Sequence, residues 1–371
     1  MEVLGFSSYP EECAATRYRL SQFIPPLSKR GINVTVKPFL NREKYASFYK
    51  KGQLVRNSID ILNPLLKRFS ESVSARKYDL LFVQRESMMF GPPLFEWIAK
   101  NLGKCPIVLD LDDATYVPYV SPTYGKLASA FKFFGKTDQL IEWSEFVICC
   151  NRFVAEYVEK KGKKSIIVPT VVDTDKFHPV NKKMNGKLTI GWIGSHSTLP
   201  LLESLFPVLQ KLAVIYDFKL KIVGAGSENI GIEGVEIENL PWKLEREVAD
   251  LQSFDIGLYP MVISSSANKD WLFGKSCFKA VQYMTAGIPF VLTPIGNCAE
   301  TGIENETHFF ANSDEEWYQA LMKLLDSAEQ RQIMGEKGRK FALENFTIEQ
   351  QVDKIERVLL EAVETFHKNK K

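Results

Sequence analysis

Short apolar runs alternate with amphipathic stretches along the first half of the chain. The runs have the length of buried strands, and the stretches between them have helical spacing, such as residues 14–31, which end at Gly31. The strands predicted in this half span residues 3–6, 32–39, 79–86, 105–113 and 145–150, and residues 165–177 form a last strand and a turn. This alternation of strand and helix predicts a parallel, doubly wound α/β sheet.

The second half repeats the alternation after a polar linker at residues 181–187, beginning with one strand and one long helix over 195–217. We predict three parts: an N-terminal domain over 1–184, a C-terminal domain over 185–345, and a helix over 346–371 that crosses back to the N-terminal domain. Two Rossmann-like domains of this kind bind ligands in a cleft between the carboxyl ends of their sheets.

Composition is that of an ordinary globular protein, with 45% hydrophobic and 25% charged residues among 371. No run approaches the roughly 20 apolar residues that span a bilayer, and the first strand begins at once, which leaves no room for a signal peptide. The six cysteines show no C-x-x-C spacing. We therefore expect reduced thiols and a cytoplasmic location.

Charge is distributed unevenly between the two halves. Residues 1–183 carry 28 Lys and Arg against 19 Asp and Glu, a balance of +9, and residues 184–371 carry 19 against 26, a balance of −7. A basic amphipathic segment contributes to this excess, with Lys50, Lys51, Arg56, Lys67, Arg68, Arg76 and Lys77 between apolar residues. The pattern is typical of a solvated helix that covers the sheet, and peripheral docking on an anionic membrane is the alternative.

Residues 271–300 combine a loop, a short helix and a buried strand. The helix shows apolar spacing from Phe278 to Met284, and Gly287 is its predicted C-terminal stop. Glycine and lysine precede the helix, at Gly274 and Lys275, and unpaired N–H groups and ammonium groups at such a position favour a phosphate.

Several standard sites are absent from the sequence. The FGKS segment lacks the first glycine of a P-loop, since residue 269 is Lys269, and the GAGSEN segment has Asn229 at the third glycine position of a dinucleotide fingerprint. The four histidines are scattered and show no metal-ligand spacing, and no G-x-S-x-G elbow is present. The acidic C-terminal half argues against nucleic acid as a partner.

The second half resembles the family-4 glycosyltransferases of GT-B fold, in the segments IGWIGSHST (190–198), VEIENLPWKLEREVADLQSFDIGLYP (235–260) and KAVQYMTAGIPFVLTPIGNCAE (279–300). The resemblance implies that the turn at Gly194 holds the donor diphosphate. Ser195 and Thr198 stand where many members have an arginine and a lysine, and simple N-capping by Ser195 or Ser197 is the alternative.

The family's two glutamates, eight residues apart, correspond to Gly274 and Gln282. Gln282 retains an amide oxygen that accepts a hydrogen bond from a ribose hydroxyl, whereas Gly274 cannot replace a carboxylate. Lys275 and Lys279 are four residues apart, so we expect them on one helix face, turned either to the diphosphate or to solvent.

Two further parts of the resemblance concern the rest of the donor site. Glu300 matches a glutamate that the family keeps after its turn, and a structural hydrogen bond is the alternative. Leu240 and Trp242 are placed beside the nucleotide base, with loop packing as the alternative for Trp242.

The first half resembles the same fold more loosely. Asp112 and Asp113 follow the strand PIVLDL at the family's His-Asp position, and three acids in four residues at a strand end favour a role in the cleft. Arg85 and Glu86 end the preceding strand at the same rim. Arg85 is a candidate ion-pair partner for Asp110 or Asp112.

The function implied by the resemblance is transfer of a sugar from a nucleoside-diphosphate sugar to a glycan or lipid-linked acceptor. It implies retention of configuration, no protein nucleophile, and neither a metal nor another cofactor. A sugar-nucleotide epimerase or hydrolase of the same fold, or a non-catalytic binding subunit of a transferase, are the alternatives. The base, the sugar and the acceptor are left open.

Overall fold

The computed structural model describes residues 1–48, 61–118, 131–181, 186–227, 229–262 and 269–369. The chain forms two compact units. The first comprises residues 1–170 together with 348–371, and the second comprises residues 171–347.

A six-stranded parallel sheet forms the centre of the first unit, in the order β2-β1-β3-β4-β5-β6. Its strands are β1 (Glu2–Ser7), β2 (Asn33–Pro38), β3 (Leu80–Gln84), β4 (Ile107–Leu111), β5 (Phe146–Cys149) and β6 (Ser165–Ile167). Every residue of β3, β4 and β5 is buried, as expected for central strands covered on both faces.

The helices of the first unit connect and cover these strands. They are α1 (Ala14–Arg19), α2 (Ile24–Ser28), α3 (Arg42–Phe48), α4 (Leu62–Ser74), α5 (Leu94–Asn101), α6 (Lys136–Trp143) and α7 (Arg152–Lys160). The helix Ile348–Lys368 from the end of the chain also packs on this sheet, against β3, β4 and β5.

The second unit repeats the architecture with the strand order β12-β11-β10-β7-β8-β9, again all parallel. Its strands are β7 (Leu188–Ile193), β8 (Phe218–Val223), β9 (Glu236–Leu240), β10 (Ile256–Tyr259), β11 (Phe290–Leu292) and β12 (Phe309–Phe310). Its helices are α8 (Leu199–Glu203), α9 (Phe206–Ala213), α10 (Glu247–Gln252), α11 (Lys269–Phe273), α12 (Phe278–Thr285), α13 (Asp314–Asp326) and α14 (Ala328–Asn345), and the chain ends in α15 (Ile348–Lys368). The predicted α/β class with two doubly wound parallel sheets is confirmed.

Two predicted long helices are interrupted. Residues 14–31 form α1 and α2, separated by a 3₁₀ turn at Ser21–Phe23, and residues 195–217 contain the separate helices α8 and α9. Prolines explain both breaks, because Pro25 and Pro207 are the second residues of α2 and α9. Proline has no N–H for a preceding helical turn and is tolerated only where a helix begins.

The basic amphipathic segment is partly outside the described residues, which include neither Lys50, Lys51 nor Arg56. Its described part, α4, buries Arg68 almost completely, at 1% exposure, so the prediction that this residue belongs to a solvated or lipid-facing basic surface is wrong. The Arg68 guanidinium lies 4.1 Å from the centroid of the Phe6 ring and donates to the Ser7 and Lys37 carbonyls. Burial lowers its pKa to about 10.

Among the described residues, no helix is both long enough and apolar enough to cross a bilayer.

Candidate functional site

The turn after β7 is held by its own hydrogen bonds. The Thr198 hydroxyl accepts from the Ser195 N–H at 3.1 Å and donates to the Ser195 carbonyl at 3.1 Å. Thr198 is also the N-cap position of α8. The alternative that Ser195 or Ser197 caps this helix is therefore wrong, and both residues are exposed.

Close glycine contacts join this turn to the loop after β9. A Cβ placed on Gly194 would lie 2.2 Å from the Trp192 indole, and a Cβ placed on Gly224 would lie 2.4 Å from the Gly194 carbonyl oxygen and 3.2 Å from the Trp242 Cβ. Leu240 is tied to the same point, because its carbonyl accepts from the Gly224 N–H at 2.9 Å. The structure thus brings the candidate base-side residues Leu240 and Trp242 next to the Gly194 turn.

The two candidate lysines lie on different local structures. Helix α12 begins at Phe278, and the residue before it, Cys277, has a left-handed backbone with φ 55°. Lys275 therefore belongs to the preceding turn, where its Nζ lies 3.8 Å from the centroid of the Trp271 ring. The prediction that Lys275 and Lys279 share one helix face is wrong, because the left-handed residue interrupts the helical repeat.

Lys279 lies beside the same tryptophan that supports the Gly194 turn. Its Nζ is 5.3 Å from the centroid of the Trp192 ring and 5.2 Å from that of Tyr259, and it forms no ion pair with any described residue. Burial, with a smaller contribution from the charge of Lys275, lowers the pKa of Lys279 to about 7. An anion bound at the turn would stabilise the protonated form.

The remaining candidate donor residues differ in their surroundings. Gln282 is buried and its Nε2 has no hydrogen-bond partner among the described residues. Gly274 is also buried, and its N–H donates to the Asp270 carbonyl at 2.9 Å. Glu300 is exposed, and its side chain forms no hydrogen bond with the described residues, so the structural bond considered for it is not found there.

Cys277 and Cys298 are joined as a disulfide, with their Cα atoms 5.2 Å apart. The prediction that all six cysteines are reduced thiols is therefore wrong for this pair. The fold brings together a helix start and the 3₁₀ turn Gly296–Ala299, which no short cysteine spacing in the sequence indicates.

In the first unit, carboxylates at the end of β4 are paired with arginines. Arg85 donates to both carboxylate oxygens of Asp112, with an Nη2–Oδ2 distance of 2.8 Å, and Gln84 adds a bond at 3.1 Å. Burial opposes ionisation of Asp112, but the charge and hydrogen bonds of Arg85 outweigh it and hold the pKa below its ordinary value. Of the two partners predicted for Arg85, the structure selects Asp112.

Asp110 has a different partner, Arg19, and both side chains are 1% exposed. Arg19 donates to Asp110 through Nε at 3.0 Å and also to the Val168 carbonyl at 2.6 Å. Burial raises the pKa of Asp110 to about 6 although Arg19 lies beside it.

The other two candidates at this rim are also in contact with neighbours. Glu86 is buried and forms an ion pair with Lys136 at 2.7 Å. Asp113 is half-buried, and its carboxylate accepts from the Ala114 N–H at 3.1 Å. Among the described residues, no group of three His, Cys, Asp or Glu side chains is arranged to hold a metal ion.

Three features of the site were missed from the sequence. They are the ring pair Trp192 and Tyr259 beside Lys279, the Arg19–Asp110 pair, and the disulfide. Only Trp192 gives a usable signal, since it lies inside the Gly-x-x-Gly turn segment that the resemblance already selects.

No protein-family model matches the sequence, and no curated protein is similar to it. Solved structures, in contrast, match nearly the whole chain. A glycosyltransferase from Rickettsia africae is 15% identical with a TM-score of 0.67, and 98% of each chain is covered. Sucrose-phosphate synthase from Thermosynechococcus elongatus is 14% identical with a TM-score of 0.66, covering 97% of this chain and 98% of its own.

HepE from Anabaena, in complex with UDP and glucose, is 13% identical with a TM-score of 0.65, covering 97% of this chain and 99% of its own. At such identities the similarity establishes the fold, and the chain has the GT-B fold with two Rossmann-like units. Membership of family 4 stays a prediction.

Proposed function

We propose that the protein is a glycosyltransferase whose second unit binds a nucleoside-diphosphate sugar. The observation that carries the proposal is the position of Lys279, which shares Trp192 with the Gly194 turn and has no anionic partner among the described residues. A cation near a turn rich in hydroxyl and N–H groups is suited to a diphosphate. Support also comes from the fold, since HepE binds UDP-glucose.

The chemistry of such a site is stabilisation of the departing diphosphate. Negative charge develops on the leaving group as the glycosidic bond breaks, and pre-positioned donors and cations lower that barrier. Lys275, Lys279 and the turn residues Ser195 and Thr198 supply these groups. We propose a retaining, metal-independent transfer without a protein nucleophile.

In the first unit, we propose that Asp113 orients a hydroxyl of the acceptor or the donor sugar. Asp112 is committed to Arg85 and is 8% exposed, whereas Asp113 is half-buried. Asp112 and Arg85 then act as a rigid support for this strand end.

For the acceptor, we propose a glycan or a lipid-linked saccharide, in cell-surface polysaccharide or glycoconjugate synthesis. Helix α4 exposes the apolar residues Leu62, Leu66 and Phe69 and the basic Lys67, each at least half exposed. A surface of this composition suits peripheral contact with the anionic cytoplasmic face of a membrane.

A second candidate function is a non-catalytic nucleotide-sugar-binding subunit. It is favoured by Gly274 and Gln282. These residues stand where the family-4 glycosyltransferases, which the sequence resembles, carry two glutamates, so the site lacks both carboxylates. In that case nucleotide binds, and no donor is turned over with any acceptor extract.

The test is calorimetry with UDP, GDP, dTDP and their sugars on the wild type and on Lys279→Met. We expect one base to bind and Lys279→Met to weaken it by roughly 10- to 100-fold, the range for a lost charge-assisted contact. The matched control is Lys323→Met, because Lys323 also lies 5.3 Å from an aromatic centroid, that of Phe309, on a different helix. Binding of no nucleotide, or equal binding by Lys279→Met, would overturn the proposal.

A further inference from the structure

The disulfide closes the turn that separates the two lysines. Cys277 follows Lys275 by two residues and precedes Lys279 by two, and both sulfur-bearing side chains are completely buried. Cys298 lies in the Gly296–Ala299 turn, 21 residues further along the chain. The bond therefore connects the lysine turn, residues 274–277 between α11 and α12, to the segment that follows β11.

Two contacts hold the same segments together without sulfur. A Cβ on Gly296 would lie 2.7 Å from the Phe273 Cα, so the two backbones touch, and the Asn297 amide donates to the Ser276 carbonyl at 3.2 Å. The cysteines consequently remain neighbours when reduced. A Cα separation of 5.2 Å is within the range that a disulfide bridges without backbone movement.

The backbone at Cys277 depends on such constraints. Its φ of 55° is a left-handed conformation that residues other than glycine rarely adopt, and it persists only where the surroundings hold it. The bond to Cys298 is a constraint on this residue itself. Because the other contacts hold the two segments together, we expect the loss of this bond to relax only the backbone at Cys277 and so to alter the distance between Lys275 and Lys279.

We propose that Cys277 and Cys298 form a reversible thiol–disulfide site that sets the affinity of the lysine turn for a nucleoside diphosphate. The proposal rests on the proposed donor function. Reduction by a low-molecular-weight dithiol is a two-electron exchange: the protein S–S bond breaks, the dithiol becomes a cyclic disulfide, and its two protons pass to the cysteine sulfurs.

The other cysteines provide an internal comparison. Cys13, Cys105, Cys149 and Cys150 form no disulfide in the described structure. Burial raises the pKa of the Cys149 and Cys150 thiols well above the ordinary value, which disfavours the reactive thiolate. A substitution at Cys149 is therefore a suitable control for the loss of a buried thiol.

The experiment compares air-oxidised full-length protein with protein treated with dithiothreitol. Alkylation in urea and mass spectrometry should find Cys277 and Cys298 protected before reduction and labelled after it. Calorimetry with UDP, GDP and dTDP should show the bound nucleotide weakened by roughly three- to tenfold on reduction. Cys149→Ser should keep this response.

Cys277→Gly removes the disulfide but keeps the backbone at residue 277 free of strain, because glycine adopts positive φ readily. It therefore tests the effect of the disulfide separately from the effect of backbone strain. This variant should bind the nucleotide equally with and without dithiothreitol. Full labelling of Cys277 before reduction, or equal affinity of oxidised and reduced wild type, would overturn the redox proposal alone. Absence of nucleotide binding in both states would overturn the donor function and its regulation, while the alkylation pattern would still report whether the pair exists.

Discussion

Both units hold buried or half-buried charged side chains near a strand end, at the end of β4 in the first unit and beside Tyr259, the last residue of β10, in the second, but their partners differ. In the first unit, Asp110 and Asp112 are paired with Arg19 and Arg85, so these two carboxylate charges are neutralised within the fold. In the second unit, Lys279 faces two aromatic rings and forms no ion pair with a described residue. The aspartates thus have partners within the fold, whereas Lys279 is the cation that we propose to meet a ligand.

The difference follows from the cost of burying charge. An isolated buried ion is unfavourable, and either a partner or a shift toward the neutral form removes the cost. Asp110 and Asp112 have arginine partners, whereas burial lowers the pKa of Lys279 to about 7. A fold that keeps an unpaired cation half-buried retains the capacity to bind an anion there.

The largest expected effect concerns the paired charges. Asp110→Ala leaves the Arg19 guanidinium buried without its carboxylate, and breaking such a pair costs about 3–5 kcal/mol in the free energy of unfolding. Urea denaturation followed by circular dichroism measures it. Asp353→Ala is the control, because it removes a carboxylate of an exposed pair with Arg30 and should leave stability near wild type. Equal effects of the two variants would contradict the structural role of Asp110.

A smaller effect is expected at the turn of the second unit. In Gly194→Ala the new methyl group meets the buried Trp192 indole, and overpacking of this kind costs about 1–3 kcal/mol. Because Trp192 also lies beside Lys279, nucleotide binding should weaken as well. Gly186→Ala, in the same unit with open space around it, should change neither quantity. If Gly194→Ala kept wild-type stability and nucleotide binding, the turn would have to accommodate the methyl group, and the prediction would be wrong.

The smallest effect is a pH dependence of nucleotide binding. Lys279 loses its proton as the pH rises through about 7, so affinity should fall by roughly five- to tenfold between about pH 7 and 8.5. The slope should vanish in Lys279→Met. In the ligand-free protein the sign is opposite: the unfolded chain keeps this proton to higher pH, so the free energy of unfolding should rise above about pH 7. An affinity that is flat with pH in the wild type would contradict the assignment.

Sequence reasoning succeeded where local chemistry decides. The apolar periodicity of α12 and the glycine stop at Gly287, which has φ 67°, are both present, as are the buried runs of β3 to β5. The resemblance to GT-B enzymes rested on such strand-turn-helix patterns, and the fold is confirmed. Proline positions already present in the sequence account for the two helices that were predicted too long.

The ion pairs at the site could not be predicted from the sequence because they join residues that are far apart along the chain. Arg19 and Asp110 are 91 positions apart, and nothing in either segment specifies the other. The separation of Lys275 from helix α12 depends on the left-handed backbone of Cys277. A cysteine in the sequence does not predict this conformation. Which cations have partners is a property of tertiary packing and is visible only in the folded chain.

The order in which the chain is synthesised gives α15 a particular importance. The strands of the first unit precede the second unit in the chain, whereas α15, which packs against β3, β4 and β5, follows the second unit. Until then, the part of that sheet against which α15 packs is uncovered, and the apolar residues Val352, Ile355 and Leu359 of α15 are not yet buried. The first unit therefore cannot be completed until the second unit has been synthesised, and its apolar surface is uncovered during that time.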